Sequence, residues 1–208
     1  MAKNNEHIET RQIGYLPGEL EIRAAEDGTG NKIVGMAVVY NRESLPIYGE
    51  YVEVIKPGAF DGADVSRVIA RTGHDDRQLL GTTMSGTLQL DFRDDGVGYS
   101  VDIPDTVAGR DTKTYIERKD ISGSSFAFIP DTRNGGVQWI DRSADGLLDI
   151  REIHKIKSLH DVSPVINPAY PDATTALREH KEFRESLDKT QRDLDNAENL
   201  KADSDTLA

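Results

Sequence analysis

The 208-residue sequence contains no cysteine. Disulfides, thiolate zinc sites and a cysteine nucleophile are therefore excluded. A cysteine-free chain fits a reducing cytoplasm. No apolar run approaches the ~18 residues that a membrane-spanning helix needs. The opening stretch, Met1 to Arg11, is polar and lacks the apolar centre of a signal peptide. Positive charge is also short: 25 Lys+Arg stand against 37 Asp+Glu, a net of −12. Such a chain is repelled by phosphate backbones and by anionic lipid, so neither nucleic acid nor a membrane surface is an expected partner. Basic protein segments remain compatible with it.

What is present reads as one domain with appendages. Residues 1–18 are polar, are punctuated by Pro17-Gly18, and read as a loose, flexible arm. Residues 19–174 are mostly strand-like. Leu20–Ala24 alternates apolar and polar, as a half-buried strand does. Lys32–Tyr40 is dense in apolar residues and suits a central strand. Tyr51–Ile55, Val68–Arg71, Thr87–Phe92 and Tyr99–Ile103 follow, with Asp94-Asp95-Gly96 as a hairpin turn. Asp105 or Thr106 caps one helix running to about Lys119, with Gly109 as a weak spot. Ile121–Ile129 is a strand, Asn134-Gly135-Gly136 a turn, and Gly146–Val165 one or two more strands. Residues 175–208 form an acidic, largely solvated helical tail whose end, from Asp203, frays. The fold class is mainly β with a few helices (α+β), and the strand spacing suggests a sandwich or barrel.

The chemistry centres on Ile121-Ser122-Gly123-Ser124-Ser125-Phe126-Ala127-Phe128. On a strand, Phe126 and Phe128 share one face, the core side, and Ser125 and Ala127 share the other. A hydroxyl beside a small residue and backed by two aromatics makes a rigid, accessible nucleophile. A small-residue face turned to solvent is the plainer alternative. The stretch also reads G-x-S-x-A, but its antiparallel surroundings do not suit a nucleophile elbow. A serine needs a base. His7 and His180 lie in the arm and the solvated tail. His74 follows an apolar strand and a glycine, which suits a base held by a scaffold, or else a surface histidine in a polar turn. An orienting group comes from Leu159-His160-Asp161-Val162-Ser163-Pro164-Val165. Strand alternation lets only one of Asp161 and His160 face the site. A metal site built from His74, Asp75 and Asp76 is a rival, although adjacent loop residues rarely converge on one ion.

Read in order, the motifs resemble the prohead maturation proteases of tailed bacteriophages, of the HK97 type. The matching stretches are Gly35–Asn41, Ile55–Phe60, Gly73-His74-Asp75 with Leu80-Gly81-Thr82, Ile103–Thr106, Asp120–Phe128, and Asp161–Val165 with Asn167–Pro171. The resemblance implies a closed or partly closed antiparallel β-barrel similar to herpesvirus assembly proteases. It implies a serine endopeptidase that works in the host cytoplasm, inside the assembling prohead. Such an enzyme cleaves the major capsid protein, its scaffolding segment or a scaffold protein, and also cleaves itself. The portal and a second copy of the chain are further partners to consider. No cofactor or metal is implied. Ser125 takes the nucleophile's place, His74 the base's and Asp161 the acid's, with His160 as the alternative third member because herpesvirus relatives use a second histidine. Three positions depart from the common pattern: Gly73 for Asn, Ala127 for Gly and Asp161 for Glu. The competing expectation is a non-catalytic scaffold or shell component.

Overall fold

The computed structural model describes residues 7–12, 20–25, 28, 30–133, 135–166 and 174–206. Pro17-Gly18, Asn134 and Asn167–Pro171 lie outside these residues. The chain divides into two compact units, Met1–Asp172 and Ala173–Ala208.

Among its described residues the first unit holds twelve strands: β1 (Glu9–Gln12), β2 (Leu20–Ala24), β3 (Asn31–Val39), β4 (Tyr51–Ile55), β5 (Ile69–Arg71), β6 (Leu79–Thr82), β7 (Leu88–Arg93), β8 (Gly96–Asp102), β9 (Gly123–Pro130), β10 (Val137–Ile140), β11 (Asp149–Ile153) and β12 (Ile156–Val165). One α-helix, α1 (Val107–Glu117), interrupts them. The second unit is a single helix, α2 (Thr174–Thr206), laced by Arg178–Glu182 and Lys181–Glu185 pairs one turn apart. It runs on through Asp203, where fraying was expected.

The mainly-β reading with few helices holds, and no closed barrel is found among the described residues. Among the described residues the strands form three sheets, none of them closed: β1-β9-β12-β5-β6, β10-β11-β4 and β2-β3-β8-β7. Nor is the pairing wholly antiparallel. β5 runs parallel to β12, and β4 runs parallel to β11. A period of two is the same in either pairing, so alternation in the sequence cannot reveal direction. Parallel neighbours need a long crossover, and about half of the unit lies between each of these partners.

Local chemistry accounts for the elements. The Asp94-Asp95 turn closes the β7–β8 hairpin, with Arg93 opposite Gly96. Thr106 caps α1, its hydroxyl accepting from the Gly109 amide at 3.1 Å. Gly109 is no weak spot. A Cβ there would stand 2.1 Å from the Pro104 carbonyl oxygen, so only glycine lets the helix approach the incoming chain. The three sheets share one core, in which Ile33, Val38, Val68, Val97, Val101, Phe126, Phe128, Ile153 and Val162 are buried together.

Residues 9–12 lie within the arm expected to be loose. They form a strand at the edge of the five-stranded sheet, antiparallel to β9, with Gln12 opposite Ser125 and Arg11 opposite Phe126.

Candidate active site

Three adjacent elements supply the site. β9 carries Ser125. β12 is its antiparallel neighbour, with Ser163 opposite Ser125 and Asp161 opposite Ala127. β5 lies on the far side of β12 and feeds a tight turn, Thr72–His74.

On β9 the alternation is as expected: Phe126 and Phe128 stack in the core at 5.1 Å, and Ser125 faces the other way. On β12 it breaks. The register shifts between Leu159 and Asp161, leaving a bulge at His160. Leu159 and Val162 therefore both enter the core, while Asp161 and Ser163 reach the site. Simple parity would group Leu159 with Asp161.

The turn explains the departure at residue 73. Gly73 has φ 63° and His74 φ 59°, two consecutive left-handed residues. Glycine and asparagine are the residues that adopt this conformation most readily, so Gly73 suits the turn where the resemblance expects Asn. A left-handed histidine is uncommon and has to be held by its surroundings. Here the Ser163 hydroxyl accepts from the His74 amide at 3.3 Å, and Thr72 meets Thr112 of α1 at 2.6 Å between hydroxyls.

The side chains form a continuous row. His74 Nε2 lies 2.6 Å from Ser125 Oγ, and Nδ1 lies 2.7 Å from Asp161 Oδ1. Ser163 Oγ sits 3.2 Å from both Nδ1 and Asp161 Oδ1. Asp161 gives its second oxygen to Arg71, whose Nε donates at 3.0 Å; Arg71 also pairs with Asp76. Burial by itself would raise the Asp161 pKa. The hydrogen bond and charge of His74, with those of Arg71, outweigh burial and hold it below the usual carboxylate value. An ionised Asp161 keeps the proton on Nδ1. That leaves the Nε2 lone pair facing the serine.

His160 is not part of this row. It is the bulged residue, and its Nε2 hydrogen-bonds the Ser158 hydroxyl at 3.0 Å. The His74-Asp75-Asp76 metal site does not assemble either. Both ring nitrogens of His74 are engaged, Asp75 pairs with Arg77 and Asp76 pairs with Arg71. Arg71 went unrecognised in the sequence; its one signal is an arginine at the end of an apolar strand just before the histidine.

The serine at the end of the row is not open. Ser125 is fully buried, because β1 lies across it. Its hydroxyl is also 2.8 Å from the Arg11 carbonyl oxygen. One hydroxyl proton serves one acceptor well, so that carbonyl competes with His74 Nε2 for it.

A hydroxyl, an imidazole and a buried carboxylate in one row are what a serine hydrolase needs. The sequence matches the family described as caudovirus prohead serine protease over residues 18–187, and the chain belongs to that family. It is thus a serine protease of capsid maturation. Among solved structures it is similar to the bacteriophage T4 capsid assembly protease gp21, at 12% identity and a TM-score of 0.52, covering 79% of this chain and 100% of that one. At that identity the likeness concerns the fold. Comparison with curated proteins finds no match. Among the described residues, no helix is long and apolar enough to cross a membrane.

Proposed function

We propose that the protein cleaves the major capsid protein, its scaffolding segment or a scaffold protein inside the immature prohead, in the host cytoplasm. Ser125 is the nucleophile, His74 the base and Asp161 the orienting acid. The 2.6 Å contact between His74 Nε2 and Ser125 Oγ carries this reading.

Ser125 Oγ attacks the scissile carbonyl carbon as its proton passes to His74 Nε2. Asp161 stabilises the imidazolium that results. The tetrahedral intermediate collapses with cleavage of the C–N bond, and the leaving amine takes the proton from His74. A water activated by His74 then hydrolyses the acyl-enzyme. Self-cleavage belongs to the same reading, since a backbone carbonyl of this chain already lies against Ser125.

The test is co-expression with the capsid partner, read by mass spectrometry. The wild-type chain trims the partner and itself, and Ser125→Ala trims neither. Fluorophosphonate labelling of Ser125 gives an independent measure. A Ser125→Ala protein that cleaves at the wild-type rate overturns the assignment, as does a Ser125 that stays inert to the probe once Glu9→Gln and Arg11→Gln have loosened β1.

A further inference from the structure

Beneath β1 lies a cluster of four charged side chains that the triad does not use. Glu9 and Arg11 alternate with Thr10 on β1, so both point the same way, toward the three-stranded sheet. There Glu53 of β4 and Arg151 of β11 stand opposite each other across a parallel pair. All four are buried, at 1%, 4%, 3% and 0% relative exposure in chain order. Arg11 grips Glu53 with two bonds, Nε to Oε1 at 2.7 Å and Nη2 to Oε2 at 3.0 Å. Arg151 grips Glu9 in the same way, at 2.7 and 3.1 Å. Arg151 and Glu53 also meet each other at 2.8 Å. The face of Trp139 lies 6.0 Å from the Arg151 guanidinium.

The four charges sum to zero, but two of them belong to a separable strand. Burial alone would raise the Glu9 pKa and lower that of Arg11. Their partners reverse both shifts, so each is held in its charged form. The core of the domain thus presents a fixed anion and a fixed cation to whatever strand lies on β9. Peptide recognition by strand addition works this way: main-chain bonds to an open sheet edge hold the peptide, and pockets for alternate side chains select it.

We infer that Glu53 and Arg151 are paired charged subsites of the protease. They select peptides with an acidic residue two places before a basic one, and Glu9–Gln12 is this chain's own occupant of that channel. The acidic side chain meets Arg151, and the basic one meets Glu53. The carbonyl of the basic residue falls at Ser125, as Arg11's does, so cleavage follows it. A peptide lacking one of the two charges leaves the buried cluster with a net charge and fewer hydrogen bonds, and such a peptide binds less tightly. The tail carries the same pattern at Glu182-Phe183-Arg184. This inference rests on the channel of the proposed protease but is testable without its chemistry.

Binding is read by fluorescence anisotropy on full-length Ser125→Ala protein that also carries Glu9→Gln and Arg11→Gln, which weaken the resident strand. A fluorescein-labelled peptide containing Glu-Thr-Arg-Gln binds at least about tenfold more tightly than one containing Gln-Thr-Gln-Gln. Adding Glu53→Gln removes most of that difference. Should the double substitution fail to fold, Arg11→Lys retains the charge and serves in its place. In the wild-type chain, mass spectrometry finds the cut after the basic residue. Equal affinity for the two peptides, or a cut elsewhere, overturns the inference. A serine that labels in a channel indifferent to charge refutes the subsites alone. Charge preference with an inert serine refutes the catalytic assignment alone.

Discussion

Arg71 holds Asp161 by the oxygen that His74 does not use: its Nε donates to Oδ2 at 3.0 Å, while Nδ1 of the imidazole takes Oδ1 at 2.7 Å. The carboxylate is pinned at both ends. Arg71→Ala should therefore let it rotate, lowering kcat about tenfold, or ~1.4 kcal/mol of transition-state stabilisation. Because Arg71 helps depress the Asp161 pKa, the same change raises it. Activity should then fall away at a higher pH on the acid side than in the wild-type chain. A pH–rate profile separates this from simple destabilisation, which would lower the rate without moving the limb.

Asp161 and His160 can be told apart by substitution. Asp161→Asn keeps the shape but favours the wrong tautomer, and should cost about 10³- to 10⁴-fold in kcat. His160→Ala touches only the Ser158 contact and should leave kcat near wild type. Turnover of a capsid-derived peptide by both variants decides the matter.

Acid should loosen the molecule through two buried carboxyls. Glu9 and Asp161 both have folded-state pKa values below the ordinary ones. The unfolded chain therefore binds protons more readily, and the stability these groups supply is complete only above the unfolded-state range, about pH 5 and higher. It is lost as pH falls through the depressed folded values. Urea midpoints between neutral pH and pH 3 should show the loss. Glu9→Gln should start lower at neutral pH and lose less on acidification.

Residue 73 should tolerate only what its backbone allows. Gly73→Asn should keep both melting temperature and activity near wild type. Gly73→Val should cost about 1–2 kcal/mol or more, because φ 63° drives a Cβ toward the carbonyl. It should also displace His74 and abolish turnover. Thermal melts and peptide hydrolysis check the two effects separately.

Much of this was legible in the chain. Alternation on β9 puts the phenylalanines in the core and Ser125 on the opposite face, and local turn chemistry marks the β7–β8 hairpin and the Thr106 cap. Three things were hidden, each for a physical reason. A bulge at His160 shifts the parity of β12, and no single residue announces a bulge there. β1 reads Glu-Thr-Arg-Gln, with no apolar stripe, because its side chains are matched by buried charges rather than by oil. Sheet closure depends on pairing between residues far apart in sequence, and local periodicity is blind to it. Glu53 did leave a trace, a charge stranded in the otherwise apolar run Tyr51–Ile55; Arg151 sits among other charges in Asp149–Ile153 and left none.

The short strand over β9 also bears on how densely the protein can be packed. Bare, β9 would offer an eight-residue ladder of unmet amides and carbonyls, open to any neighbouring chain. With β1 in place the outermost ladder is four residues long. Short outer strands are a common guard against molecules zipping together. Chains whose resident strand has been loosened should therefore become sticky as well as open, and light scattering at rising concentration should reveal it.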